Sequence, residues 1–142
     1  MTETTSCDAW ATTVRLRFRD FDYLGHMTAT AYLALVEEAR VEWLKDTDAD
    51  GQPAYVVALQ TLEFHKEVLP TDGPLSITIS GRVVSRSRFE VDEQIWGSRG
   101  HLHATSRATL VAWDRVRRRP RLLTDAELDL LAYQAVSAQD PA

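Results

Sequence analysis

The chain has 142 residues, 44% of them hydrophobic and 26% charged, with a formal net charge of −5 at pH 7. That length fits one domain with a real core, and the balance is that of an ordered soluble protein. No broad cationic face is implied, no apolar run reaches a membrane span, and "MTETTSCDAW" lacks the charged and apolar parts of a signal peptide, so a cytoplasmic protein is expected.

Cys7 is the only cysteine, which excludes an intrachain disulfide and a multi-cysteine zinc site. In chain order, "TTVRLRFRDF" alternates Val14, Leu16 and Phe18 against Arg15, Arg17 and Arg19, the pattern of a half-buried strand. From Thr28 to Lys45 the period changes. Tyr32, Leu35, Val36, Ala39 and Trp43 share one helical face, with Glu38 and Glu42 on another. Gly51 and Pro53 break the chain after this helix.

The second half reads as strands: "AYVVALQTLEFHKEV", then a "PTDGP" turn, then "LSITISGRVVSRS", "RFEVDEQIWG" and, past an "SRG" turn, "HLHATSRATLVAWD". Their spacing predicts an antiparallel meander. Thr124 and Glu127 form a capping-box pattern that opens a short helix, "AELDLLAYQAV". One long helix with many antiparallel strands packs best when the sheet curls round the helix, an α+β architecture. A single sheet of this kind leaves edges and a face uncovered, so a homodimer or homotetramer is expected. The whole chain, 1–142, is read as one domain, with flexible ends at about 1–8 and 137–142.

The sequence holds no G-x-S-x-G elbow, phosphate-cradling glycine loop or dinucleotide fingerprint. His101 and His103 stand two apart on a strand, but no third ligand lies near, so they read as a solvated pair and no metal is expected. His65 carries no further signal. The basic run "DRVRRRPR" reads either as a solvated turn or as a contact for phosphates; it lacks the interleaved aromatics of a nucleic-acid surface.

Asp20, Asp22, Gly25 and His26 lie just before the best helix. Acids are favoured there as polar turn residues. A helix N-terminus also offers free N–H groups and partial positive charge, which polarise a carbonyl and stabilise the oxyanion formed on attack. A carboxylate just upstream activates water or attacks the carbonyl itself. Gly25 permits a tight turn.

"RFRDFDYLGHMTATAYLALVEEAR" resembles the signature of the 4-hydroxybenzoyl-CoA thioesterase-like family, aromatic-x-D-x-D-x-x-G-H-x-N-N-x-x-Y-L followed by E-x-A-R. The matches are Phe18, Asp20, Asp22, Gly25, His26, Tyr32 and Leu33, then Glu37 or Glu38, Ala39 and Arg40. "LEFHKEVLPTDGPL" and "LVAWDRVRRRPRLLTDAEL" follow the family more loosely. The resemblance implies the hotdog fold, a curved antiparallel sheet wrapped around one long helix. It implies hydrolysis of an acyl-CoA or acyl-carrier-protein thioester, with Asp22 as base or nucleophile and the amide of Ala29 or Thr28 binding the carbonyl. Asp20 is then a turn or structural acid. Gly25, His26 and Tyr32 are expected around the substrate. Arg86, Arg88, Arg117, Arg118 and Arg119 are candidates for the phosphates of CoA, which is substrate here, with no separate cofactor. Thr28 and Ala29 replace the family's two asparagines, which alters the polar lining of the acyl site. A hotdog hydratase or dehydratase and a non-catalytic acyl-CoA-binding module are the alternatives; neither a nucleic-acid nor a membrane partner is expected.

Overall fold

The computed structural model describes residues 10–139, and of 133–139 only the backbone. Cys7 and the end segment 1–8 lie outside the described residues. Strand β1 (Trp10–Val14) leads into a 3-10 turn at Phe18–Asp20 and helix α1 (Ala29–Leu44). Strands β2 (Tyr55–Phe64), β3 (Leu75–Val83), β4 (Arg88–Trp96), β5 (Leu102–Asp114) and β6 (Arg119–Pro120) follow, then helix α2 (Asp125–Gln139). The strand order is β1-β3-β4-β5-β2, all antiparallel, with β6 hairpinned onto the end of β5.

Helix α1 starts where Thr28 caps it: the Thr28 hydroxyl accepts the Ala31 amide at 3.2 Å. Its buried stripe of Tyr32, Leu35, Val36, Ala39 and Trp43 is the one the periodicity marks. That stripe packs in one core with Leu75, Ile77 and Ile79 of β3, Phe89, Val91 and Ile95 of β4, and Ala104, Ala108 and Leu110 of β5. Burying it drives the sheet to curl round the helix. This is the hotdog arrangement. Gly81 continues the inward row of β3. A Cβ there would stand 2.8 Å from Trp43 Cη2 and 2.9 Å from Leu131 Cδ2, so the glycine lets both helices close on the strand. The capping box of α2 forms as read: Glu127 takes the Thr124 amide at 2.8 Å and gives its own to the Thr124 hydroxyl at 3.1 Å. The helix continues past the expected end to Gln139.

Several expectations change. The strands after α1 are not one meander: β3, β4 and β5 follow in order, but β2 pairs with β5 at the far edge instead of with β3. The first strand ends at Val14, and Phe18, placed by alternation on the inner face, is 98% exposed. The cause is Asp20, whose buried carboxylate accepts the Arg17 amide at 2.8 Å and tightens the chain into a 3-10 turn. Strand β2 stops at Phe64 because the His103 carbonyl captures the amides of both His65 and Lys66 and turns the chain away. His101 and His103 are not a solvated pair. Ile95 pairs with Ala104 but Trp96 with Leu102, so His103 is the extra residue of a β-bulge, turned inward and fully buried.

Strand β2 forms one edge of the sheet. It exposes Val56, Val57, Leu59 and Phe64. No helix among the described residues is long and apolar enough to cross a membrane.

Candidate active site

The Asp22 loop is closed by an isolated antiparallel bridge between Phe21 and Met27. The Asp22 amide donates to the His26 carbonyl at 2.9 Å and the Gly25 amide to the Asp22 carbonyl at 3.0 Å. Gly25 turns the chain at φ 80°, in the region that favours glycine. Oδ1 of Asp22 accepts the amides of Leu24 at 2.9 Å and His26 at 3.1 Å. These bonds fix the carboxylate, and its second oxygen has no hydrogen-bond partner among the described residues.

Asp20 is buried and otherwise engaged. Its carboxylate holds the Arg17 backbone and guanidinium, and its carbonyl accepts the Thr28 amide at 2.9 Å. The Thr28 amide is therefore spent, whereas those of Ala29 and Thr30 have no acceptor among the described residues. A free carboxylate oxygen and free helix N-terminal donors thus stand at the two ends of the short connection from Asp22 to Ala29.

Beside them lies a depression of about 400 Å³ lined by His26, Met27, Ala29, Tyr32, Phe64, His65, Lys66 and Glu67. Tyr32 and Phe64 meet edge to face, with ring centroids 4.9 Å apart. Burial raises the Tyr32 phenol above its ordinary value, and a hydrogen bond with the Val68 backbone offsets part of that. His26 Nε2 is 2.9 Å from Glu67 Oε1, joining the two sides. Buried His103 holds the far wall from beneath: its carbonyl accepts the Lys66 amide at 3.2 Å, and its Nδ1–H donates to the Lys66 carbonyl at 3.0 Å.

The structure therefore brings Asp22, Thr28, Ala29, His26 and Tyr32 together around one end of α1, with exposed Gly25 at the tip of the loop. Asp22 and Gly25 border this region without lining the depression. The arginines are elsewhere. Arg88 pairs with Val111, and Arg117 and Arg118 lie in the turn beyond Asp114 with Arg119 opening β6, at the opposite end of β5 from Ala104 and Phe64. At the rise of an antiparallel strand that is about 30 Å away. Arg86 precedes Arg88 at the same far end.

Phe64, His65, Lys66 and Glu67 were invisible to sequence reading because they enter through the β2 and β5 pairing. Among the described residues no cluster of three His, Cys, Asp or Glu side chains stands ready for a metal ion.

The fold is that of the hotdog proteins. The chain belongs to the thioesterase-like superfamily, which it matches over residues 16–133, and its class of chemistry is thioester hydrolysis. No curated protein matches it in sequence. Among solved structures it is similar to a thioesterase from Thermus thermophilus complexed with coenzyme A and zinc, at 23% identity over 90% of this chain and 95% of that one, TM-score 0.77. A 1,4-dihydroxy-2-naphthoyl-CoA thioesterase from Synechocystis shares 17% identity over 87% of this chain and 96% of its own, TM-score 0.74. A Staphylococcus aureus protein in complex with CoA shares 10% over 94% of this chain and 87% of its own, TM-score 0.79.

Proposed function

We propose that the protein hydrolyses acyl-CoA thioesters at the N-terminus of α1, with Asp22 as the catalytic carboxylate. One observation carries the reading: Asp22 is oriented through a single oxygen, while the amides of Ala29 and Thr30 have no acceptor among the described residues. A thioester carbonyl seated on those amides is polarised by hydrogen bonds and by the helix dipole. Asp22 takes a proton from water as the water oxygen attacks the carbonyl carbon. The oxyanion collapses, the C–S bond breaks, and the thiolate recovers the proton from Asp22. Direct attack by Asp22 would instead form an anhydride that water then opens, with the same products. The apolar floor of Met27, Tyr32 and Phe64 takes the acyl group.

The reading extends to a homodimer. Edge strand β2 has an unpaired outer row and exposed apolar side chains, the features that invite pairing with a second copy. Antiparallel pairing of β2 with its mate would set the Tyr55 end of one copy beside the Phe64 end of the other. The arginines at the far end of one sheet would then approach the depression of the partner, where the phosphates of CoA would lie outside the acyl site.

A panel of acyl-CoA thioesters assayed for free thiol tests this directly. Release from at least one substrate, slowed by orders of magnitude in Asp22→Asn, is the expected result. A folded parent that releases no thiol from any of them would overturn the reading.

A further inference from the structure

We propose that Glu67 is a positioning residue for the reaction, acting on Asp22 through His26. This deepens the thioesterase reading and rests on it for the catalytic half of its test.

Glu67 and His26 come from different parts of the fold, the connection after β2 and the loop before α1, and meet at 2.9 Å. His26 is in turn bonded twice to Asp22. Its amide donates to Asp22 Oδ1 at 3.1 Å and its carbonyl accepts the Asp22 amide at 2.9 Å. The Asp22 loop is otherwise exposed, with Tyr23 and Leu24 in solvent. Glu67 is thus a side-chain tie from the body of the sheet to the residue that orients the carboxylate.

The tie has a fixed end. Glu67 follows Lys66, whose peptide is held on both sides by fully buried His103. Restraint passes from β5 through Lys66 and Glu67 to the His26 ring, and through the His26 backbone to Asp22. Nε2–H donates to the carboxylate, which fixes the direction of the ring. Both side chains are about half exposed, at 53% and 54%, so the pair adds little to overall stability. Its effect is on geometry, and a loosely held catalytic carboxylate loses rate steeply.

The test compares Glu67→Ala with Glu67→Gln, which keeps an acceptor for Nε2–H, in the full-length protein. Glu67→Ala should lower kcat roughly tenfold, hold KM within about twofold, and leave Tm unchanged. Amide hydrogen exchange at Leu24 and His26 should quicken by a similar factor while the sheet exchanges as in the parent. Glu67→Gln should recover most of both losses. Parental kcat in Glu67→Ala overturns the proposal, as does a raised KM at constant kcat, which would mean that Glu67 touches the substrate instead. Unchanged exchange at Leu24 and His26 also overturns it. The exchange arm needs no substrate, so an inactive parent would sink the thioesterase reading and still leave this tie to be decided.

Discussion

Arg40 and Glu93 face each other with both side chains fully buried, Arg40 Nε 2.5 Å from Glu93 Oε2 and Nη2 2.9 Å from Oε1. Ser106 donates to the same carboxylate at 2.7 Å, and Gln60 accepts from Nη2 at 2.6 Å and donates to Ser106 at 2.7 Å. One polar network therefore ties α1 to β4, β5 and the edge strand β2. A buried ion pair gains little net energy over apolar packing, but stranding one partner is costly. Glu93→Ala or Arg40→Ala alone should lose about 3–5 kcal/mol by urea unfolding. Arg40→Met with Glu93→Leu should lose clearly less than the two single losses summed. Additive losses would mean that the pair is not a coupled unit.

The two aspartates should separate by phenotype. Asp22→Asn should lower kcat by roughly 10²–10⁴-fold with stability intact, since the exposed loop keeps an acceptor for Leu24 and His26. Asp20→Asn should act chiefly on stability, because the buried carboxylate holds Arg17 and closes the turn that places Thr28. Steady-state kinetics beside thermal melts distinguishes them. An Asp20 variant that melts like the parent yet is inactive would reverse the assignment.

Much of this arrangement was legible in the sequence, and the failures have physical causes. The α1 stripe is local and periodic, so its face and its Thr28 cap could be read directly. Phe18 misled because alternation carries on past Val14 as though no turn intervened, whereas the Asp20 carboxylate takes the Arg17 amide out of the strand. His103 misled because a bulge reverses the face a residue occupies, and nothing in "HLHAT" marks one. Asp22 was legible as a candidate because its motif is local. The opposite wall, Phe64 to Glu67, depends on β2 pairing with a strand far along the chain, and only the folded protein brings it to Tyr32.

Acid should weaken the docking of α2. Burial of Glu127 works to raise its carboxyl, but hydrogen bonds from Arg121 and Thr124 outweigh it and hold the group below its ordinary value. A depressed folded pKa contributes stability that is fully present above the unfolded value and is lost as pH falls through the folded one. Between neutral pH and about pH 3 the parent should therefore lose more stability than Glu127→Gln, which starts lower and has no such proton to take up. Parallel curves from denaturant titrations across that range would remove Glu127 from the acid limb.

Gly97 should resist any side chain. A Cβ there would stand 2.5 Å from His103 Nε2 and 3.0 Å from Cδ2, so the ring would have to move off the Lys66 peptide that it clamps. Gly97→Ala should cost about 1–3 kcal/mol and raise KM by reshaping the depression, while Gly100→Ala, strained by its φ of 89° but with nothing within 4 Å of its Cβ, should leave KM alone. A parental KM in Gly97→Ala would show that the clamp does not set the pocket wall.

The arginines test the proposal that a second copy completes the site. Within one copy, Arg117, Arg118 and Arg119 lie at the end of β5 far from Ala29, and the turn is organised by Asp114, which accepts the amides of Val116 at 3.0 Å and Arg117 at 2.9 Å. Their backbone is fixed while their side chains stay exposed and able to meet an anion. If β2 pairs with β2 of a second copy, each site takes its carboxylate from one chain and its phosphate contacts from the other. The triple variant Arg117→Ala, Arg118→Ala, Arg119→Ala should raise KM for acyl-CoA several-fold, at roughly 1 kcal/mol per contact, and leave kcat and a phosphate-free thioester analogue unaffected. Mixing it with Asp22→Asn should then restore parental KM, because in the mixed dimer the triple variant's Asp22 meets the arginines of the Asp22→Asn chain. Contacts made within one chain would leave KM raised in the mixture. Leu59→Lys, a charge on the free edge, should yield a monomer by light scattering and abolish the rescue; a monomeric parent at micromolar concentration would dismiss the shared site altogether.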